Sequence, residues 1–301
     1  MLADKKVIRV LFIDDDEDEY FLLKKMVQRI TRGKYQYEVF YEQDRSVARE
    51  KILANAFDIC LLDYAMGSWN GLELLQETKS NREIPIIMMT GHDDFHVDEQ
   101  AMSLGATDYI VKSDLSSSIL ERTLRYALER KALMEELKHQ ACHDEMTGLF
   151  NRRKLVALLA HQVGAAKRYG FPLCLCFCDL DRFKNINDRY GHAAGDLALI
   201  AFSEIIRSTI RKQDFAGRYG GDEFSIILPH VALENASVCI ERIQKKLSEH
   251  EVRYGDQIIQ IQASFGLAQF SEEMDVASFM KQADKALYQS KEEGRNAISY
   301  A

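Results

Sequence analysis

The sequence predicts two mixed α/β domains joined by a long helix: first a doubly wound parallel sandwich, then an α+β layer built from one sheet with helices against it. Three observations carry this reading. In the first half, five short apolar runs alternate with helix-patterned stretches, as in a parallel sheet covered on both faces. Residues 115–140 contain neither Pro nor Gly, and Leu120, Leu124, Leu128, Leu133 and Leu137 recur at helical spacing. From residue 141 onward, helical stretches accompany strands that are largely adjacent in sequence. A chain of 301 residues, 47% hydrophobic and 29% charged, suits two soluble domains.

The first strand is "VIRVLFI", an apolar run ending in acids, followed by "YEVFY", "DICLLD", "IPIIMMT" and "DYIV". Between them lie "EYFLLKKMVQRI", "RSVAREKILAN" and "GLELLQETK", whose apolar residues fall on one helical face. Right-handed crossovers make the doubly wound sandwich the simplest closure. The long helix packs on its own sheet up to about Ala127. Beyond that it is mostly charged or polar and too far along to cover that sheet, which predicts a coiled-coil joint pairing with its twin. In the second half, "LCLCFCDL" reads as a strand, "LALIAFSEIIRSTI" and "NASVCIERIQKKL" as helices, "IIQIQASFGLA" as an alternating strand, and "VASFMKQADKALYQSKEE" as the last helix.

A formal net charge of −8 argues against a nucleic-acid partner. No secretion signal is visible, and "VIRVLFI" is too short for a membrane span and contains Arg9, so a cytoplasmic protein without a membrane partner is expected. Of the six cysteines, Cys174, Cys176 and Cys178 share one strand face. Neighbours two apart are poor disulfide partners, and the expectation is small buried side chains under a helix.

Acids gather at strand ends. Asp14, Asp15 and Asp16 follow the first strand, Asp63 ends the third, Thr90 the fourth, and Lys112 the fifth. In an open parallel sheet these carboxyl ends form the ligand crevice. Clustered carboxylates are costly unless a hard cation such as Mg²⁺ neutralises them. An aspartate beside that cation can attack a phosphoryl donor and become an acyl phosphate, with Lys112 and Thr90 binding the new oxygens. Asp16 reads instead as a helix cap. This pattern makes residues 1–126 resemble a response-regulator receiver domain, a flavodoxin-like fold. The resemblance implies Asp63 as phosphoacceptor, Asp14, Asp15 and Asp63 as the Mg²⁺ site, and Thr90, Tyr109 and Lys112 as the switch. It also implies a histidine kinase or phosphotransfer protein as partner. Two positions depart from the family: Gly67 stands where it usually has Pro four residues after the acceptor, and Ser113 where Pro, often cis, follows the lysine. A cis bond without proline costs about 3–4 kcal/mol.

In "RYGGDEFSIIL" two glycines precede two acids and an apolar strand. A tight hairpin turn accounts for the glycines, which tolerate positive φ and let a ligand approach the backbone. If the strand "LCLCFCDL" pairs with the strand after this turn, Asp179 and Asp222 meet at one end of the sheet and suit Mg²⁺, with Mn²⁺ as the alternative. Lys184, Lys291 and Arg295 offer cations for phosphates, and the last two, four apart, fall on one face of a helix. Asp181 reads as a cap of the following helix.

With "DEMTGLFNRR", "DLDRFKNINDRYGHAAGD" and "KEEGRNA" also present, residues 141–301 resemble a GGDEF domain of the diguanylate cyclase family, with a palm-like α+β fold; residues 127–140 are the helical linker. The resemblance implies that a homodimer condenses two GTP into cyclic di-GMP. By the same resemblance, Asp179, Asp222 and the Leu180 carbonyl are expected to bind metal, Asn187 and Asp196 to read the guanine edge, and His192 to lie by the nucleotide. The resemblance further implies that Lys184, Lys291 and Arg295 bind triphosphate, with Lys184 also stabilising transition-state charge, and that Asp222 or Glu223 accepts the 3′-hydroxyl proton. Arg211 and Asp214 of "RKQD" match the family's inhibitory product site. A rival reading is a non-catalytic nucleotide sensor or dimeric interaction module, against which the intact acids and lysines argue. DNA-binding output finds no helix-turn-helix signal.

Overall fold

The computed structural model describes residues 6–30, 34–91 and 95–301. The chain divides into two compact units after Glu136. The first contains β1 (Lys6–Ile13), α1 (Glu17–Gln28), β2 (Tyr35–Glu42), α2 (Arg45–Leu53), β3 (Ile59–Asp63), the two-residue strands β4 (Ala65–Met66) and β5 (Trp69–Asn70), α3 (Gly71–Thr78), β6 (Ile86–Thr90), α4 (Phe95–Ser103) and β7 (Asp108–Val111). A 3₁₀ turn over Lys112–Asp114 leads into α5 (Ser117–Cys142), which crosses the division.

The parallel sheet has the order β2-β1-β3-β6-β7. The order reverses at β1, so a crevice opens between the carboxyl ends of β1 and β3. Every residue of β3 and β6 is buried, as expected of central strands covered on both faces. One apolar layer holds Leu11, Ile13, Leu62 and Met88; the other holds Val10, Phe12, Leu61 and Met89 beneath Leu120, Leu124 and Ala127 of α5. Helix starts are fixed locally. Asp16 caps α1 by accepting from Asp18 N–H, Asp44 caps α2 through Val47 N–H, and Asn70 caps α3 through Glu73 N–H.

Both departures from the receiver pattern have structural counterparts. Gly67 turns the β4–β5 hairpin with φ +58°, which the proline ring cannot adopt. A Cβ there would also lie 3.1 Å from Asp15 Oδ2. Ser113 sits in the 3₁₀ turn with trans peptides.

The second unit contains β8 (Phe150–Asn151), α6 (Arg152–Tyr169), β9 (Leu173–Leu180), α7 (Phe183–Tyr190), α8 (His192–Thr209), β10 (Phe215–Gly220), β11 (Glu223–Pro229), α9 (Leu233–Glu249), β12 (Glu251–Tyr254), β13 (Gln257–Gln260), β14 (Ala263–Gln269), α10 (Val276–Glu292) and β15 (Ile298–Tyr300). Its main sheet runs β15-β14-β9-β11-β10-β8, with β9 antiparallel to both neighbours. Cys174, Cys176 and Cys178 face a core that also contains Phe202 of α8 and Ile240 of α9, whereas Leu173, Leu175 and Phe177 face one with Leu159 of α6 and Phe279 of α10. All three thiols are fully buried, and burial pushes Cys174 up to about 12.

Two segments differ from the sequence reading. The stretch 258–268 is not one strand: β13 pairs only with β12, and the chain breaks at Ile261 and Gln262 before β14 joins the main sheet. The break is held by Asp181 N–H donating to Gln262 O at 2.8 Å. Helix α8 begins at His192 rather than near Leu197, because Gly191, at φ +86°, ends α7 and reverses the chain.

Replacing Gly67 with Ala should destabilise the first unit by about 1–2 kcal/mol, the cost of a side chain in left-handed backbone. Chemical denaturation of the variant against the parent measures it.

Candidate active sites

The crevice between β1 and β3 gathers the acids of the first unit. Asp14 and Asp63 are buried and Asp15 is exposed, yet oxygens of all three lie within 4.8 Å of one another. Lys112, delivered by the end of β7, places Nζ 2.8 Å from Asp14 Oδ2 and 2.8 Å from Asp63 Oδ1. Asp63 Oδ2 accepts Ala65 N–H at 2.9 Å. Asp63 Oδ1 is buried, with the Lys112 ammonium against it. Burial pushes the Asp63 carboxyl up to about 6; Lys112 pulls it down, and the Asp14 charge adds to the rise. Burial opposes the Lys112 charge, but the two carboxylates outweigh it and raise its pKa. Three acids whose oxygens converge, with one ammonium to balance them, fit a hard divalent cation. Thr90 ends β6, buried and paired in register with Val111, next to Lys112. Tyr109 lies half-buried on β7 against the Leu62 and Met88 layer.

In the second unit the β10–β11 hairpin turns at Gly221 and Asp222, with Gly221 at φ +55°. The β9–β11 register sets Glu223 directly opposite Asp179. Leu180 N–H donates to Asp222 O at 3.3 Å, which brings the turn to the end of β9. Carboxylates opposite one another repel. Burial raises the Asp179 pKa; Lys291 lowers it, and Asp222 and Glu223 raise it further. Lys291, in the last turn of α10, relieves this charge with Nζ 2.8 Å from Asp179 Oδ2. Two carboxylates beside a strand-end carbonyl fit a cation of the Mg²⁺ class.

Asn187 lies on α7 and Asp196 on α8, beside the point where the helices approach closely: a Cβ at Gly195, the residue before Asp196, would collide with Asn187 Oδ1. Neither side chain has a hydrogen-bond partner among the described residues, leaving an amide and a carboxylate to offer a planar ligand. His192 opens α8, exposed, four residues before Asp196. Lys184 is exposed on α7. Arg295 is not on the helix with Lys291: α10 ends at Glu292, and Gly294, Arg295 and Asn296 follow with φ +116°, +68° and +46°. Asp181 does not cap α7 either. Its oxygens accept from Ser264 Oγ at 2.7 Å and Asn296 N–H at 2.8 Å.

The turn between α8 and β10 holds Arg211 and Asp214. Asp214 Oδ2 accepts Arg211 N–H at 2.8 Å, while the buried Oδ1 has no donor. Burial raises the Asp214 pKa against the pull of Arg211. Arg242 of α9 donates to Thr209 O at 3.4 Å, adding a guanidinium near this turn that sequence spacing did not signal. Arg218, just ahead of the glycine turn, is a second such guanidinium. Its Nε donates to Gly221 O at 2.8 Å and its Nη1 lies 3.3 Å from Asp144 Oδ1, so the acid opening the domain holds the acidic turn.

Residues 141–297 match the family described as diguanylate cyclase, GGDEF domain, and residues 10–123 match the response regulator receiver domain. The chain belongs to the GGDEF family and carries a receiver domain ahead of its GGDEF domain. It is 30% identical over 305 residues to the response regulator PleD of Caulobacter vibrioides, an alignment covering 96% of this chain and 65% of PleD. Diguanylate cyclase DgcS of Shewanella oneidensis is 40% identical over 164 residues, covering 54% of this chain and 53% of that protein. The solved coiled coil and GGDEF domain of DgcB from Caulobacter crescentus, in complex with c-di-GMP, matches 61% of this chain and 98% of that chain with TM-score 0.58 and 29% identity. No helix among the described residues is long and apolar enough to cross a membrane.

Because the fold raises the Asp63 pKa from 3.8 to about 6, ionised Asp63 costs stability above about pH 6, and the cost fades as pH falls towards 3.8. A bound divalent cation offsets that cost, and protons compete with it. Mg²⁺ affinity of the receiver should therefore fall by up to about tenfold per pH unit below about pH 6. Trp69, the single tryptophan, lies in the hairpin after Asp63 and reports the titration by fluorescence.

Proposed function

We propose that this chain is a phosphorylation-controlled diguanylate cyclase, joining two GTP into cyclic di-GMP with release of two pyrophosphates. The observation that carries the proposal is the meeting of Asp179, Asp222 and Glu223 at one sheet end with Lys291 on Asp179. The diguanylate cyclase names of its relatives support it. Within this reading, residues 1–126 are the receiver, 127–140 the linker and 141–301 the cyclase, acting in the cytoplasm.

Each domain holds one GTP. Asn187 and Asp196 orient guanine, with His192 beside the nucleotide. An amide and a carboxylate together match guanine's acceptor and adjoining N–H donors, an order adenine does not offer. Lys291 and Arg295 hold the triphosphate. Asp179, Asp222 and the Leu180 carbonyl would hold Mg²⁺ or Mn²⁺, which neutralises phosphate charge and polarises the α-phosphorus for attack. The 3′-oxygen of one nucleotide forms a bond to the α-phosphorus of the other, and the bond to the bridging oxygen of pyrophosphate breaks. Asp222 or Glu223 takes the hydroxyl proton, and Lys184 stabilises the charge that builds. Two such steps close the ring, so the domains work as a two-fold pair.

A second copy of α5 suits this pairing. Tyr126, Leu133 and Leu137, at 55%, 57% and 51% exposure, repeat at intervals of seven and four, the spacing of a coiled-coil seam. Phosphorylation of Asp63 by a histidine kinase or phosphotransfer protein redistributes the Lys112 contacts and biases that assembly. Cyclic di-GMP acts back through Arg211 and Asp214, the guanidinium forking onto phosphate or guanine and the carboxylate accepting from guanine N–H groups.

Incubation of the purified chain with GTP and Mg²⁺, followed by chromatography, should yield cyclic di-GMP; GTP left intact by the phosphorylated protein contradicts the proposal. Asp222→Ala should lower turnover at least about a hundredfold. In Asp63→Asn, a small phosphodonor that still activates as in the parent would refute the receiver coupling. Arg211→Ala should remove inhibition by added cyclic di-GMP while initial turnover persists.

A further inference from the structure

Asp181 has no part in the chemistry described above, yet it is only 8% exposed and both of its carboxylate oxygens are bonded. It follows Leu180 at the acidic end of β9. Oδ1 accepts from Ser264 Oγ, itself fully buried, at 2.7 Å, and Oδ2 accepts the backbone N–H of Asn296 at 2.8 Å. The two donors arrive from different elements and meet separate oxygens, an arrangement that a carboxylate on a short stem supplies without presenting a competing N–H.

The bond to Asn296 fastens an unusual stretch of chain. Gly294, Arg295 and Asn296 all have positive φ, and two of them carry side chains. Such backbone persists only where its surroundings hold it. Arg295 N–H donates to Ser290 O at 3.2 Å, and on the outer side Gln244 Nε2 donates to Asn296 O. The Arg295 guanidinium has no partner among the described residues. A left-handed turn thus lifts Arg295 off the helix that carries Lys291, and a buried carboxylate two residues from Asp179 pins it.

We propose that Asp181, with Gln244 as its outer counterpart, is a positioning residue that clamps the 294–296 turn and so keeps Arg295 within reach of the β- and γ-phosphates. The proposal rests on the reading that this site binds GTP. The carboxylate acts through Arg295 and touches no substrate. Its loss therefore weakens recognition of the triphosphate and leaves recognition of guanine alone.

The test uses the full-length protein with Mg²⁺ and two probes: 3′-deoxy-GTP, which lacks the reacting hydroxyl, and GMP, which lacks the outer phosphates. The parent should bind 3′-deoxy-GTP more tightly than GMP in calorimetric titration, and Arg295→Ala should narrow that gap. Asp181→Asn, which keeps one acceptor, should narrow it by about tenfold, the scale of one charge-assisted hydrogen bond, with GMP affinity unchanged. In steady state its KM for GTP should rise more than kcat falls. In an Arg295→Ala background Asp181→Asn should add nothing further. Gln244→Ala, at a half-buried position on α9, should narrow the gap in the same direction by a smaller factor and keeps the test open if Asp181→Asn does not fold. Equal loss of both probes in Asp181→Asn, multiplying effects in the double variant, or an unchanged gap in Gln244→Ala overturns the proposal. A parent that binds neither probe removes the GTP reading and this inference together, whereas a parent with the gap and variants that retain it removes this inference alone.

Discussion

Carboxylates crowded at the end of a sheet repel one another, and both domains answer that constraint with one lysine from a distant element. Lys112 stands 2.8 Å from Asp14 and from Asp63, and Lys291 stands 2.8 Å from Asp179. In each case burial raises the central aspartate's pKa and the ammonium opposes the rise. The ammonium relieves only part of the charge. What remains is an acidic strand end suited to a divalent cation and to phosphate chemistry. Neither lysine is near its aspartate in sequence, so each acidic site exists only when its sheet and covering helices have assembled.

A second constraint is the positioning of turns that carry reacting groups. Turns are the least restrained parts of a fold, and here each is fastened by a polar side chain reaching from elsewhere. Arg218 joins the Gly221 carbonyl to Asp144. Asp181 joins β14 to the turn after α10. Asp144 lies two residues beyond Cys142, the end of α5, so the end of that helix and the acidic hairpin are two hydrogen-bonded contacts apart within one unit. In the proposed enzyme this is a short physical route by which a change at α5 alters the geometry of the acidic turn.

Much of the fold was legible because period and punctuation agree. The five parallel strands are apolar runs bounded by helices of clear 3.6-residue pattern, and Asp16, Asp44 and Asn70 mark helix starts. Where the pattern misled, tertiary bonding had intervened. The alternation over residues 258–268 runs on unbroken, but a hydrogen bond from Asp181 to Gln262 splits it between two sheets. Lys291 and Arg295 have helical spacing, but Gly294 ends the helix between them. Arg218, Arg242 and Asp181 drew no correct assignment, since a lone arginine or aspartate has many uses and only its partners distinguish them.

The sequence by itself determined the two domains, the family, and the acids at β1, β3, β9 and the glycine turn. Those features are local: residue type, spacing and strand ends suffice. Only the tertiary structure decided which cation answers each acid cluster, why Gly67 rather than proline turns the hairpin beside Asp15, and what Asp181 holds. Those depend on atoms brought within about 3 Å across scores of residues, a distance that sequence order does not encode.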